Sequence, residues 1–337
     1  MAGAAAMATA PMPALPRRAY IARAVRHGER GGGRMREYED VYVEVDGGRL
    51  AVRRWPGTTD AADTTGARVV LAVHGIAGNG LSWAAVAEAL GGIEVIAPDL
   101  RGRGLSRDVT GTSSMARHAD DLLAVLAHFG VDRAVLAGHS MGGFIGCVAA
   151  RRDPDRYSHL VLVDGGLGFP VPADTDIDAV LLAVIGPAMR KLDLEFADRA
   201  AYHAFWAAHP AFAELRGPAV EAHVEAYLDR DLTGEEPHLR SACRAAAIRQ
   251  DAEDELRSPE VFAAIHELTV PTRLLWAERG LMNEPVGLYA PEVIEHSGLH
   301  KEGVAPHFVP DVNHYSLVLG ATGARTVAAH LKDAVLG

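Results

Sequence analysis

The sequence of 337 residues predicts an α/β fold in which a mostly parallel sheet carries helices on both of its faces. Short, continuous apolar runs such as Val69–Val73 and Ala134–Ala137 are typical of strands that are buried on both faces. Segments with a single apolar helical face alternate with these runs, which favours strand–helix–strand units with right-handed crossovers. The segment 167–268 interrupts this alternation, so we expect it to be an insertion into the sheet domain.

The chain begins with a segment that has neither pattern. Met1–Arg18 is rich in alanine and proline, and Gly28–Arg34 has the glycine-rich composition of a flexible linker. No charged region precedes an apolar core, and prolines interrupt the run, which argues against a secretion signal. We therefore expect residues 1–36 to be disordered, and Met35 is an alternative translation start.

The folded part is predicted to begin with an antiparallel hairpin. Val41, Val43 and Val45 alternate with other residues, as in a strand with one buried face. Asp46–Gly48 is a turn signal, and Leu50–Trp55 is the returning strand.

Six further strands and four helices complete the predicted core, which comprises residues 37–166 and 269–337 around an eight-stranded sheet. In chain order they are strand Val69–Val73, helix Ser82–Leu90, strand Ile93–Ala97, helix Ser113–Phe129, strand Ala134–Ala137, helix Met141–Arg151, strand Leu160–Val163, strand Thr272–Trp276, strand Pro306–Val309 and helix Thr322–Val335. The insertion 167–268 is rich in alanine and broken by prolines, so we expect a cap built from several helices. Tyr202 and Trp206 are candidates to line an apolar pocket beneath this cap, although aromatic residues at helical spacing more often belong to the core of their own segment.

Composition and charge restrict the function classes. The net charge of −11 argues against a nucleic acid or an anionic membrane surface as partner, and no apolar run is long enough to span a membrane. The sequence contains no phosphate loop, dinucleotide fingerprint or metal-ligand spacing, so we expect neither a cofactor nor a metal. Cys147 and Cys243 are interpreted as buried free thiols in a reducing compartment, the cytoplasm. The expected partner is a small-molecule substrate, and the sequence leaves the oligomeric state open, a homodimer included.

One motif carries a specific chemistry. Gly138-His139-Ser140-Met141-Gly142 fits the pattern G-x-S-x-G and lies between a predicted strand and a predicted helix. The glycines permit a sharp turn that exposes the serine oxygen at the helix N-terminus, where negative charge is favoured. The alternative interpretation, a chance glycine-rich turn, does not account for the strand and helix on either side.

The chain resembles the α/β-hydrolase superfamily from Tyr38 to the C-terminus, apart from the insertion. The residues that carry the resemblance are His74-Gly75, Asp99-Leu100-Arg101-Gly102-Arg103-Gly104-Leu105-Ser106, the Gly-His-Ser-Met-Gly-Gly motif and the late His314. The resemblance implies an α/β-hydrolase fold with Ser140 as nucleophile and His314 as its base, since the fold places its histidine after the last core strand. The other histidines, including His203, His209, His223 and His238 of the insertion, are expected to be solvated or locally bonded.

The resemblance also indicates an oxyanion hole made of two backbone N–H groups. Met141, directly after the nucleophile, supplies one, and Ile76, in the loop after the first buried strand, supplies the other. His74 is expected to be structural, and Arg101 and Arg103 are expected to form structural salt bridges.

The third member of the catalytic triad departs from the commonest pattern of the superfamily. The usual acid position after the strand Thr272–Trp276 is occupied by Gly280, which has no side chain. Some esterases, lactonases and dehalogenases instead place the acid after the strand that follows the nucleophile helix, and Asp164 lies there. We therefore predict Asp164 as the acid. Alternatives are Glu278 and, more remotely, Glu284 and Asp311.

The resulting hypothesis is hydrolysis of a carboxylic ester or lactone of a mainly hydrophobic molecule through an acyl-enzyme. The same triad also serves thioester and C–C bond hydrolysis. A hydrolase fold retained as a non-catalytic ligand-binding protein is the alternative from a different class, and Gly280 is the feature that favours it.

Overall fold

The computed structural model describes residues 35–58, 68–218 and 220–337. The expectations for the N-terminal segment 1–34 lie outside these residues. The ten strands described are β1 (Glu39–Val45), β2 (Gly48–Trp55), β3 (Val69–Val73), β4 (Glu94–Pro98), β5 (Ala134–His139), β6 (Tyr157–Val163), β7 (Leu232–Thr233), β8 (Arg240–Ser241), β9 (Thr272–Arg279) and β10 (Val304–Asn313). The eleven helices described are α1 (Ala84–Leu90), α2 (Met115–Phe129), α3 (Met141–Arg152), α4 (Ile177–Arg190), α5 (Arg199–Ala207), α6 (Glu221–Arg230), α7 (Ala245–Arg257), α8 (Pro259–Ala264), α9 (Pro291–His296), α10 (Ser316–Leu319) and α11 (Ala321–Leu336).

Eight of these strands form one sheet in the order β1-β2-β4-β3-β5-β6-β9-β10. The pairs β1–β2 and β2–β4 are antiparallel, and the remaining neighbours are parallel. The predicted α/β class with a mostly parallel eight-stranded sheet is therefore confirmed. Strands β9 and β10 are both longer than the apolar segments predicted for them. The two strands remain paired through less buried residues as far as Arg279 of β9 and Asn313 of β10.

The sheet separates two hydrophobic cores. Successive side chains of a strand point to opposite faces, so Val70 and Ala72 of β3 pack with residues of α1 and α11. Leu71 and Val73 of the same strand pack with residues of α2 and α3 on the other face. This two-sided burial explains why β3 has a continuous apolar sequence rather than an alternating one.

The insertion between β6 and β9 contains α4 to α8 and also a short antiparallel ribbon made of β7 and β8. The ribbon was not among the elements expected from the sequence. The connection between the two strands includes Gly234, whose φ of 92° is a backbone conformation that residues with a side chain rarely adopt. Each strand has only two residues, too few for a detectable periodicity.

The carboxyl ends of the parallel strands define where a site can form. The loop 74–80 follows β3, and the turn that contains Ser140 follows β5. Asp164 follows β6 directly, and His314 follows β10. Because parallel strands end at the same edge of the sheet, these segments meet there although they are far apart in sequence.

Candidate active site

Ser140 occupies a strained turn between β5 and α3. Its φ of 55° and ψ of −126° are unusual for a residue with a side chain, and such strain is often stored at functional sites. The turn is held by a hydrogen bond of 3.0 Å from the Ser140 amide to the carbonyl oxygen of Val163. Neighbouring backbone is close enough to require glycine: a Cβ on Gly142 would lie 2.2 Å from the Val73 carbonyl oxygen.

Asp164 and His314 are in direct contact. The Nδ1 atom of His314 lies 2.6 Å from Oδ2 of Asp164, and the two residues are 2% and 0% exposed. The second carboxylate oxygen of Asp164 accepts a hydrogen bond of 3.1 Å from the amide of Ala277. Since the carboxylate engages a proton on Nδ1, the neutral imidazole has its free lone pair on Nε2. Ser140 and His314 line the same pocket.

The alternative acids have other partners. Glu278 accepts a hydrogen bond of 2.7 Å from the amide of Asp311, and Glu284 accepts one of 2.9 Å from the amide of Met282. A Cβ on Gly280 would lie 2.2 Å from the carboxylate of Glu284, so the space at the usual acid position is filled by this side chain. Among the acidic residues considered from the sequence, the structure brings Asp164 alone to His314.

A second histidine supports the first and was not identified from the sequence. Nε2 of His139 donates a hydrogen bond of 3.0 Å to the backbone carbonyl of His314, and the two ring centroids are 4.6 Å apart. Burial, together with the proximity of His314, holds the pKa of His139 well below its usual range. A neutral His139 can therefore fix the backbone of His314. Its place inside the serine motif was the available signal.

The two predicted oxyanion donors belong to different segments that follow neighbouring strands. Met141 is the first residue of α3, and Ile76 belongs to the loop 74–80. In the described part of the chain, the Ile76 amide donates no hydrogen bond to another protein atom, and the Met141 amide donates none beyond α3. Both amides are thus available to a bound group.

The predicted structural role of His74 is confirmed. Its Nε2 accepts a hydrogen bond of 2.9 Å from the amide of Leu100, so its proton resides on Nδ1. This Nδ1 lies 2.7 Å from the carbonyl oxygen of Gly75 and donates to it. Burial lowers the pKa of His74 to about 3, which keeps the ring neutral. Because a trans peptide points its N–H away from its C=O, the held Gly75 carbonyl also sets the direction of the Ile76 amide.

The pocket at this edge of the sheet encloses about 500 Å³ of empty space, its open mouth included. It is lined by Gly75, Ile76, Ala77, Gly78, Ser82, His139, Ser140, Ile185, Ala188, Trp206, Tyr227, Leu281, His314, Tyr315, Val318 and Leu319. Trp206 is therefore a lining residue as predicted. Tyr202 is not, because its hydroxyl is directed to a hydrogen bond with Asp231.

The histidines of the insertion divide into two groups. His203 lies 3.0 Å from Asp229, and His238 lies 2.5 Å from Glu195, which confirms the expectation of local bonding. His209 and His223 are buried rather than solvated. His209 is nevertheless locally bonded, since its Nδ1 accepts a hydrogen bond of 3.1 Å from the amide of Ala211. His209 stacks on Trp206 with the ring planes at 21°. The rings of Phe212 and Tyr315 also pack against His209, which accounts for the burial of this histidine.

The expected structural ion pairs and free cysteines are present. Arg101 pairs with Asp121 at 2.8 Å, Arg103 pairs with Asp251 at 2.5 Å, and all four side chains are buried. Both cysteines are buried and free. In residues 35–58, 68–218 and 220–337, no cluster of His, Cys, Asp or Glu is arranged to hold a metal ion. The helices of the same ranges include none with the length and hydrophobicity needed to cross a bilayer.

Parts of the chain are similar in sequence to known hydrolases. Over 129 residues, the chain is 37% identical to a Caulobacter vibrioides protein named as a carbamate hydrolase, RutD, covering 38% of this chain and 43% of that protein. Over 107 residues, it is 35% identical to 2-hydroxymuconate semialdehyde hydrolase of Pseudomonas putida, covering 31% of this chain and 38% of that enzyme. The matched segments thus span less than half the length of these curated relatives.

Structural similarity extends further along the chain. The solved structure of E-2-(acetamidomethylene)succinate hydrolase superposes with a TM-score of 0.67 and 23% identity, over 88% of this chain and 98% of that chain. At this identity the likeness concerns the fold. Residues 68–317 also match the family described as the alpha/beta hydrolase fold. The chain therefore belongs to the alpha/beta hydrolase fold family.

Proposed function

We propose that this hydrolase cleaves a carboxylic ester or lactone of an uncharged, mainly hydrophobic small molecule through an acyl-enzyme. Ser140 is the nucleophile, His314 is the general base and acid, and Asp164 orients the imidazole. The observation that carries the proposal is the 2.6 Å contact between Asp164 and His314, with His314 and Ser140 lining one pocket. A serine, an imidazole and a buried carboxylate in this order form the constellation used for acyl transfer on several unrelated folds.

In the proposed reaction, the Ser140 oxygen attacks the substrate carbonyl carbon while its proton passes to Nε2 of His314. The carbonyl oxygen gains negative charge, which the amides of Ile76 and Met141 stabilise. The imidazolium, stabilised by Asp164, then protonates the leaving oxygen as the intermediate collapses to the acyl-enzyme. Water repeats the sequence at the acyl carbon, which releases the acid and restores the serine.

The composition of the pocket supports an uncharged substrate. None of the side chains that line it belongs to Asp, Glu, Lys or Arg, within the described part of the chain. A substrate carboxylate at this site would lose its hydration without gaining a cation, at a cost on the order of several kcal/mol. The aromatic and aliphatic lining from α4, α5 and α6, including Ile185, Trp206 and Tyr227, instead favours apolar groups. We interpret the insertion 167–268 as a cap on this basis.

Labelling with a fluorophosphonate tests the nucleophile. We expect the Ser140 oxygen to displace fluoride from phosphorus, leaving one phosphonyl group per chain that peptide mass spectrometry locates on Ser140. Ser140→Ala should not be labelled, whereas Ser82→Ala, which changes another serine of the same pocket, should still be labelled at Ser140. A folded wild-type protein that resists labelling would favour the non-catalytic alternative.

A panel of esters tests the substrate class. We expect kcat/KM for p-nitrophenyl butyrate to exceed that for p-nitrophenyl hemisuccinate by about a hundredfold, because the second ester has similar size but carries a carboxylate. Including a lactone and a thioester distinguishes the bond that is cleaved, since the relatives named above act on different bonds. Equal rates for the butyrate and the hemisuccinate would exclude the uncharged substrate class.

A further inference from the structure

Two buried cations hold successive carbonyl groups of the loop 74–80. The guanidinium of Arg103 donates a hydrogen bond of 2.9 Å to the carbonyl oxygen of Ile76. The ammonium of Lys191 donates one of 2.9 Å to the carbonyl oxygen of Ala77. Both side chains are almost completely buried, with exposures of 0% and 1%. The loop is thus attached at two neighbouring peptides by charge-assisted hydrogen bonds.

Each cation is paired with a carboxylate from the insertion. Lys191, directly after α4, lies 2.5 Å from Asp231, directly after α6. Arg103, from the sheet domain, lies 2.5 Å from Asp251 of α7. Both contacts with the loop therefore depend on residues between β6 and β9.

The surroundings of Lys191 indicate that it remains charged. Burial lowers its pKa, but the combined effects of Asp231, Cys243 and Tyr202 outweigh burial and leave the pKa of Lys191 above its usual value. Asp231 also accepts hydrogen bonds from the hydroxyl groups of Tyr202 and Ser241. A buried ion pair is costly to desolvate and contributes little to stability by itself, so its effect on geometry is the more informative property.

The held carbonyls constrain the amide of Ile76, the proposed oxyanion donor of the loop. The Gly75 carbonyl accepts hydrogen bonds from His74 and, at 3.0 Å, from the amide of Gly78. The Gly78 amide belongs to the same planar peptide as the Ala77 carbonyl, which Lys191 holds. Rotation of that peptide would break both hydrogen bonds and leave the Gly75 carbonyl held by His74 alone, so the Gly75–Ile76 peptide would be less constrained. Lys191 is therefore connected to the direction of the Ile76 N–H through one peptide and one hydrogen bond.

We propose that Lys191 and Asp231 are positioning residues for the oxyanion hole, so that the insertion orients the Ile76 amide as well as shaping the pocket. This inference rests on the proposed function. Neither side chain lines the pocket, so both act through the loop.

The test compares two ketones in the double variant Lys191→Met/Asp231→Asn, which removes both charges with little change in side-chain size. A trifluoromethyl ketone forms a hemiketal when the Ser140 oxygen bonds to its carbonyl carbon, the serine proton passes to His314, and the carbonyl oxygen becomes an oxyanion. The matching methyl ketone binds without a stable adduct. We expect the inhibition constant of the trifluoromethyl ketone to rise about tenfold or more and that of the methyl ketone to change less than about twofold. For a neutral ester, kcat should fall by about the same factor with KM nearly unchanged.

The matched control is Arg249→Met/Asp178→Asn. It removes an ion pair at 2.7 Å within the same insertion that does not reach the loop. We expect its two inhibition constants to equal those of the wild type. An unchanged trifluoromethyl ketone constant in a folded Lys191/Asp231 variant, or an equal loss for both ketones, would overturn the proposal.

A crystal structure of the wild-type enzyme with the trifluoromethyl ketone provides a test that needs no variant. We expect the oxyanion within hydrogen-bond distance of the Ile76 amide while Nζ of Lys191 still contacts the Ala77 carbonyl. A complex in which the lysine has left that carbonyl would contradict the inference. A wild-type protein that neither hydrolyses esters nor forms the adduct would instead refute the proposed function.

Discussion

The proposed chemistry depends on the exact position of the Asp164 carboxylate. Its φ of 48° places it in a conformation that residues with side chains seldom adopt, directly at the end of β6. Its amide donates to the Leu275 carbonyl at 2.7 Å, and its carboxylate contacts both His314 and the Ala277 amide. Backbone and side chain are thus both fixed, so the carboxylate presents one oxygen to the imidazole in a defined direction.

Replacing Asp164 with asparagine should lower kcat for a p-nitrophenyl ester on the order of a thousandfold or more. An amide in place of the carboxylate can favour the wrong tautomer of His314 and cannot stabilise the imidazolium. Glu278→Gln is the matched control and should retain kcat within about twofold, because Glu278 accepts a hydrogen bond from the Asp311 amide and none from His314. The reverse result would transfer the acid role to Glu278.

At the scale of elements, the site depends on how closely β3, β5 and α3 approach one another. Gly142 and Gly146 lie one turn apart on α3 but face different neighbours. A Cβ on Gly142 would lie 2.2 Å from the backbone carbonyl of Val73, which cannot move without shifting β3. A Cβ on Gly146 would lie 3.0 Å from a terminal methyl of Leu160, which can rotate.

Gly142→Ala should therefore lower the free energy of unfolding by about 3 kcal/mol or more, as expected for overpacking against backbone. Gly146→Ala should change it by less than about 1 kcal/mol, since the better helix propensity of alanine offsets the contact with Leu160. Urea unfolding followed by tryptophan fluorescence measures both values. Equal stability of the two variants would show that α3 can move away from β3 at little cost.

The insertion shows the limit of pattern analysis at this scale. Its helices were expected from alanine content and proline spacing, whereas the two-residue strands β7 and β8 are defined only by their pairing. Likewise, His209 is buried where the fold packs it against Trp206, Phe212 and Tyr315, the last of which is more than a hundred residues away in sequence.

At the scale of the whole molecule, several buried histidines link stability to pH. Burial lowers the pKa of His74 to about 3 and that of His209 to about 4, and it also lowers the pKa of His139. These histidines are neutral in the folded state, whereas in the unfolded chain they take up protons near pH 6.5. Their contribution to stability is therefore fully present above about pH 6.5 and is lost as the pH falls toward the folded pKa values.

We expect the free energy of unfolding to decrease between pH 7 and pH 5 by up to about 1.4 kcal/mol per pH unit for each such histidine. The difference between wild type and His74→Gln should shrink as the pH falls, since the variant lacks one proton-binding group in its unfolded state. Urea titrations at pH 7.5, 6 and 5 measure this difference. A difference that stayed constant or grew toward acid would show that His74 accepts a proton in the folded enzyme.

The sequence by itself determined the α/β architecture and singled out Ser140 as the candidate nucleophile. Both depend on local features. Continuous apolar runs are typical of strands buried on both faces, and glycines on either side of Ser140 are typical of a tight turn. The lack of a side chain at Gly280 and the presence of an aspartate after β6 also favoured Asp164 as the acid, with Glu278 as the first alternative.

Tertiary structure alone decided which carboxylate meets His314, because the two residues are 150 positions apart and direct contact depends on the side-chain directions at the ends of β6 and β10. It also decided that Lys191 reaches the Ala77 carbonyl across 114 positions, a contact that no spacing in the sequence indicates. Local patterns report the conformation of one segment. Hydrogen bonds between segments depend on distances and directions that exist only after the sheet and the insertion have packed together.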